Sequence, residues 1–396
     1  MSEVPAALAA ELAAARPQIV PSPMQVEVLA GELVTGRRLT TLPVLASSFT
    51  VTLGAAGEIT ATIPLKDPDV RARKREFFGQ LEPWRCFLAV QVGQQIIEAG
   101  PIVARPSYDD STGRLEVKAQ GMRAIFAKRE AVNNTHPRPQ ESVLAYQGLS
   151  LGTIGKRLVQ RTLNNPGGGL PIVLPADETG NHERNYPGYE RSKVGDLLDN
   201  LSEVEGGPEF RFAPRLTTDG NGIEWVMRAG TTTQPLLSQT GDDWIFDTTT
   251  RGTVGGLNIS SDAGNRINSG TVTGEGMDTA TLMYRETRED EWARGYPLLE
   301  DTFSHSTASR TATLRNHTRA YLQQGSAPWA TWSLTVRRDE SPLLGEYTVG
   351  DWCRVHVGAD HPMVPEGVHR ARIAKVSGAV EDQNVKIDLM PVMEKR

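Results

Sequence analysis

His356, Asp360, His361 and His369 lie close together near the end of the chain, and imidazole and carboxylate side chains are zinc ligands. Their spacing matches neither the paired histidines of one helical turn nor a zinc ribbon, and the sequence has no Cys-x-x-Cys. They read as ordinary loop and strand histidines. Two acidic clusters, Asp242, Asp243 and Asp247, then Glu289, Asp290 and Glu291, hold the residue type that glycosidases use as acid and base. That chemistry needs a pair at a set distance in space, and the clusters read more simply as solvated acidic loops. Gly167–Gly169 lacks the Gly-Lys-Ser/Thr that cradles phosphate. Arg71, Arg73, Lys74 and Arg75 form a dense basic run that suits the polar face of a helix or a subunit contact. Trp225, Trp244, Trp292, Trp329 and Trp332 are candidates for an aromatic binding face, a core or a subunit interface. No catalytic, cofactor-binding or metal-binding residue is assigned, and no cofactor is expected.

The elements that would position such residues belong to a turn-rich chain. Its 396 residues suit roughly two to four domains of about 100–200 residues. With 38% hydrophobic and 23% charged residues, Gly 38 and Pro 25, the composition favours an all-β or α+β protein over a helical bundle. A net charge of -6 argues against a surface that wraps nucleic acid. The cysteines, Cys86 and Cys353, sit in apolar strands as small hydrophobes and build no disulfide framework. MSEVPAALAAELAAARPQ has no basic start, and Glu11 interrupts its apolar run, so it reads as an amphipathic helix or arm rather than a signal peptide. No run approaches the roughly 18 apolar residues of a membrane span, and the expectation is a soluble chain or part of a soluble assembly.

Period-two alternation marks strands at 24–30, 48–53 and 58–65, the last two forming a hairpin. A helix over 67–81 would bury Val70, Phe77, Phe78 and Leu81. Strands follow around Cys86, at 95–105 and at 114–120. Beyond the polar linker 133–140 the period turns helical. Ser150 caps a helix whose Leu151, Ile154 and Leu158 share a face, and a polar loop over 177–189 leads to a second helix bearing Val194, Leu197, Leu198, Leu201 and Val204. A hairpin over 209–229 completes an α+β segment. Strands return in TVGGLNISSDAGNRINSGTVTGEG, read as two runs around a Gly-Asn turn, and a helix over 307–324 precedes four strand runs from Ala330 to Leu389.

The two strand-rich regions resemble each other. Trp84-Arg85-Cys86 opens a strand, with Arg105 and Lys118 on the next two. Trp352-Cys353 opens another, with Arg372 and Lys386 at nearly the same steps. Such self-similarity is the mark of a duplicated unit.

SKVGDLLDNLSEVEGGPEFRF, TVGGLNISSDAGNRINSGTVTGEG, AYLQQGSAPWATWSLTV, GEYTVGDWCRVHV and ARIAKV, in this order, carry a resemblance to the tail hub, or baseplate hub, of tailed bacteriophages, covering about Met24 to Met393. The resemblance implies a mainly β chain with α+β character: two tail-tube-like β-barrels with an α+β domain between them. The corresponding divisions are an arm over 1–22, a first barrel over 23–131, an α+β domain over 132–250 with part of 277–304 packed on it, and a second barrel over 251–396. It further implies a structural virion protein, not an enzyme, that forms a homotrimer of six-fold appearance at the tail tip, assembled in the bacterial host cytoplasm. Implied partners are a distal tail protein ring, the C-terminus of the tape-measure protein and other tail-tip or fibre proteins. DNA would pass through a central channel without specific binding, and the chain would insert into no membrane. The competing readings are a carbohydrate-active or peptidoglycan-cleaving virion enzyme and a carbohydrate-binding adhesin.

Overall fold

A computed structural model describes residues 26–73, 79–249, 254–262, 264–306, 308–325 and 329–391. The N-terminal arm, Lys74, Arg75, Phe77 and Phe78 lie outside the described residues.

The first strand set holds β1 (Val26–Glu32), β2 (Arg38–Thr41), β3 (Ala46–Thr52), β4 (Glu58–Pro64), β5 (Cys86–Val92), β6 (Gln95–Pro101), β7 (Ser107–Asp109) and β8 (Arg114–Gln120). Alternation sets the faces: Ile59, Ala61 and Ile63 of β4 are buried, with Thr60 and Thr62 between them on the other side. Of the helix expected over 67–81, the described residues hold helical backbone at 79–80 and, before it, α1 (Pro68–Ala72). The Asp67 carboxylate caps it by accepting from the Asp69 and Val70 amides, and Pro68 fills the first turn, where no amide donor is needed. A short α2 (Arg123–Phe126) follows β8.

The middle segment comprises β9 (Val143–Leu149), α3 (Leu151–Leu163), β10 (Ile172–Val173), β11 (Thr179–Pro187), α4 (Val194–Ser202), β12 (Phe210–Leu216) and β13 (Ile223–Ala229). Ser150 accepts the Thr153 amide at the start of α3, as its sequence predicts. Gly155 on the buried face lets the Phe210 ring approach, since a Cβ there would sit 2.4 Å from it. The polar stretch 177–189, expected as a loop, instead carries β11, paired antiparallel with β9. Its residues alternate between exposed and half-buried, so this two-stranded ribbon lacks the buried apolar face that marks a strand in sequence.

The second strand set is formed by β14 (Trp244–Asp247), β15 (Val254–Asp262), then β19 (Trp329–Arg337), β20 (Trp352–Val357), β21 (Gly367–Ala379) and β22 (Asn384–Pro391). Between β15 and β19 the chain builds a small sheet of β16 (Ser269–Thr273), β17 (Met283–Thr287) and β18 (Glu300–Ser304), with α5 (Glu289–Ala293) and α6 (Thr311–Gly325). The two runs read around the Gly-Asn turn are the strands β15 and β16, and they belong to different sheets: β15 pairs with β19, whereas β16 pairs with β17 and β18.

The two sets share one strand plan. β3, β4 and β8 are neighbours in one sheet and β5 pairs with β6; β15, β19 and β22 are neighbours and β20 pairs with β21. Strand β21 takes the place of β6 and β7 together, pairing first with β20 and then with β22. In the first set the step from β6 to β8 is a single bridge, Ile102 to Ala119. Both sets are curved sheets over one apolar core; among the described residues neither closes into a barrel by strand pairing. The register does not support the matching of individual arginines and lysines read from sequence. Ile102 donates its amide to the Cys86 carbonyl, and Cys353 faces Ala371, so the position matching Arg372 lies beside Val103 rather than at the exposed Arg105. Continuing across, Ala119 corresponds to Pro391, which places Lys118 with Met390 and not with Lys386.

Candidate functional site: the seam between the strand sets

Strand β21 runs beyond the end of β20, and its last residues pair antiparallel with β3: Lys375 with Thr52, Val376 with Val51, Ser377 with Thr50, Gly378 with Phe49 and Ala379 with Ser48. The result is one continuous run, β15-β19-β22-β21-β3-β4-β8-β7, through both sets. Beneath the seam Phe49, Val51 and Val376 are 2%, 4% and 3% exposed. Gly378 is needed there, because a Cβ would lie 2.9 Å from the Phe49 ring. Both ends are clasped: the Leu53 amide donates to the Ala374 carbonyl at 2.9 Å, and the Ser47 amide to the Glu381 carboxylate at 3.1 Å.

The opposite face of this sheet is rich in hydroxyls: Ser48, Thr50 and Thr52 on β3, Thr60 and Thr62 on β4, Ser333 and Thr335 on β19, and Ser377 on β21. Its charges include two local pairs on equivalent strands, Lys118 with Glu116 at 2.8 Å on β8 and Lys386 with Asp388 at 3.2 Å on β22. The face is polar, built of neutral hydroxyls and paired charges together with Arg114 and Lys375.

A buried ionic junction fixes the middle segment against the second set. Arg372 donates to the Gly350 carbonyl at 3.0 Å, to the Leu237 carbonyl at 2.7 Å and to both oxygens of Glu209. Such a planar fork sets orientation as well as distance. Nearby, Asp351 accepts from the Thr348 amide and the Trp244 indole, and burial raises its pKa. Glu98 on β6 accepts the Ala99 amide at 2.9 Å, and burial pushes its carboxyl up to about 7 against the opposing pull of Arg211. Sequence reading missed the seam and the junction alike. Their members are far apart in the chain, and Arg372 lies in an alternating run that reads as an ordinary strand.

The residues singled out for chemistry do not converge. His356 is on β20 and His369 on β21, where its ring meets the edge of Trp332 at 5.4 Å between centroids. His361 instead turns its Nδ1 to the amides of Met363 and Val364. Among the described residues there is no group of three or more metal-ligating side chains. Asp243 lies between Arg370 at 2.9 Å and Arg354 at 3.1 Å, and the hydrogen bond from Arg370 leads in lowering its pKa. Asp247 holds the Thr249 amide, Asp290 pairs with Arg294, and Glu291, 1% exposed, is buried against Arg266. Of the tryptophans, Trp225 and Trp332 are core and Trp244 is half-buried, whereas Trp292 is 42% exposed; the Trp329 side chain lies outside the described residues.

No family model and no curated protein matches the chain. Solved structures do. The 43 kDa tail protein of prophage MuSo2 from Shewanella oneidensis superposes with a TM-score of 0.57 at 13% identity, over 92% of this chain and 98% of that one. The tail protein from Neisseria meningitidis MC58 superposes with a TM-score of 0.52 at 14% identity, over 92% and 96%. Each superposition covers nearly the whole of both chains. The fold of this chain is therefore that of these tail proteins, the class to which its sequence resemblance pointed.

Proposed function

We propose that the chain is a structural subunit of a phage-type tail tip, a homotrimeric hub that continues the tail tube and joins it to the tip proteins. The observation that carries this reading is the repeated strand plan joined into one sheet, within a fold shared with two tail proteins. A chain with two like units is suited to match a six-fold tube with three copies, because closed rings need only one chain type. The units would be 23–131 and 251–396, with the α+β domain over 132–250 between them and the arm over 1–22 in front. β14 crosses the second of these divisions to pair with β20. The Tyr321 hydroxyl, which donates to Glu203 at 3.1 Å, ties the inserted region to that middle domain. The hydroxyl-rich face of the long sheet would line the channel, where it offers passing DNA no basic patch to hold it. The ring above, the tape-measure C-terminus and other tail-tip or fibre proteins would be the neighbours, in the virion and not in a membrane.

Light scattering on the purified chain, with negative-stain class averages of the same sample, tests the proposal. A trimeric ring with a central hole and six lobes supports it. A compact monomer with one deep cleft and turnover of cell-wall material would replace it with the enzyme reading.

A further inference from the structure

We propose that a cleft between β6, β12 and the turn from β3 to β4 binds a small carboxylate anion together with a proton, Arg211 holding the anion and Glu98 taking the proton. The walls of the cleft include Glu98 of β6, Arg211 of β12 and the turn residues Gly54, Ala55, Ala56 and Gly57. The turn begins at Leu53, whose amide clasps Ala374 at the seam, so the cleft lies where both strand sets and the middle segment meet.

Two opposite charges share this cleft without closing into a pair. Glu98 is 5% exposed; its Oε1 accepts the Ala99 amide, and among the described residues its Oε2 accepts no hydrogen bond. Arg211 is half-buried and, among the described residues, makes no hydrogen bond and no ion pair. Arg123, also at the cleft, is taken by Asp199. The next charges around Arg211 are Arg228, which donates to the Ser238 carbonyl at 2.7 Å, and Asp351, which accepts from the Thr348 amide and the Trp244 indole. Neither gives the Arg211 guanidinium an acceptor. Small residues keep the space open: the turn carries nothing larger than a methyl group from Gly54 to Gly57, and a Cβ at Gly57 would lie 2.1 Å from Glu98 Oε2.

The unmet donors set the ligand class. A guanidinium presents a planar fork that matches the two oxygens of a carboxylate. An ionised Glu98 would repel that anion, whereas a protonated Glu98 offers it an O–H donor and no charge. Burial already holds the Glu98 carboxyl at about 7, against the pull of Arg211. An anion on Arg211 offsets that pull, and one proton from solvent moves onto Glu98 as the anion enters. Binding is therefore strong below about pH 7 and weakens as pH rises above it.

The test follows thermal unfolding of the full chain in sodium acetate against sodium chloride at equal ionic strength. Acetate is expected to raise the midpoint at about pH 6 and not at about pH 8.5, because its apparent affinity falls by about tenfold or more between them. Glu98→Gln, which keeps a donor without charge, should retain the gain at both pH values, and Arg211→Gln should lose it at both. Each variant is compared with itself in chloride, which removes its own change in stability from the comparison. An equal gain at both pH values in the unchanged chain, or a gain lost in Glu98→Gln, overturns the role of Glu98. A gain that survives Arg211→Gln puts the anion elsewhere and overturns the site. No gain over chloride in either the unchanged chain or Glu98→Gln overturns the proposal as a whole.

Discussion

Strands β5 and β20 hold equivalent places in the two strand sets, yet one is buried on both faces and the other on one. Cys86, Leu88 and Val90 of β5 point into the core shared by the two sets, as do Cys353, Val355 and Val357 of β20. On the opposite face, Phe87 and Ala89 enter a second core built by the middle segment, where Phe87 meets Trp225 edge-on at 5.6 Å. The matching residues of β20 are Arg354 and His356, and Arg354 instead reaches Asp243 at the surface. This is why β5 is apolar without a break from Cys86 to Val90 while WCRVHV alternates from Cys353 onward. A strand's place in the plan and the number of faces it buries are separate properties, and only the second sets its composition. The connections differ as well. β3 and β4 are joined by the short turn Leu53–Gly57, whereas residues 263–328 lie between β15 and β19.

The comparison breaks most clearly at Phe87. Phe87→Ala is expected to cost about 3–5 kcal/mol, while Arg354→Ala at the matching site is expected to cost no more than about 0.5 kcal/mol. Urea unfolding of both variants measures the contrast, and equal losses would mean that β20 too is covered on its outer face. Next in size is Arg372→Leu, expected to cost about 2–4 kcal/mol because it leaves the Glu209 carboxylate without its buried partner. Removing Glu209 in the same chain should recover part of that loss, so a double-mutant cycle reads the coupling of the middle segment to the second set.

A smaller effect belongs to the inserted region, which the first set lacks. His317 on α6 stacks on His305 at 3.9 Å, with Tyr321, Glu203 and Arg184 around the pair. Burial, with the neighbouring His305 and then Arg184, lowers the His317 pKa from 6.5 to about 4. Between those values the unfolded chain binds more protons than the folded one. The stabilisation is therefore present above 6.5 and is lost as pH falls toward 4. The unfolding free energy from urea titrations should fall by about 1–2 kcal/mol in all as pH is lowered across this window, and His317→Phe should flatten the slope. A slope unchanged by that substitution would assign the effect to other groups. Asp243→Asn is expected to be small as well, at about 0–1 kcal/mol in urea unfolding, because its arginines are largely exposed.

Much of the local structure is legible in the sequence. The alternation of β4, the Ser150 cap and apolar stripe of α3, the face of α4 and the β12–β13 hairpin follow from short-range preferences that tertiary contacts do not oppose. β11 was hidden because a ribbon without a buried face carries no apolar period, and the partners of β15 and β16 could not be read from their adjacency in sequence. The likeness around the cysteines pointed to a real correspondence of strands. Its arginine and lysine steps did not survive the registers, since one displaced residue in a strand or turn moves every later match.

By itself the sequence determined the strands with an apolar period and the capped helices, and that Cys86 and Cys353 sit in strands that hold matching places, because period and capping act within a few residues. Only the tertiary structure decided that β21 outruns β20 to reach β3, and that Arg372 finds Glu209. Those outcomes depend on backbone groups and side chains distant in the chain, whose pairing is set by the closure of the whole sheet over a common core.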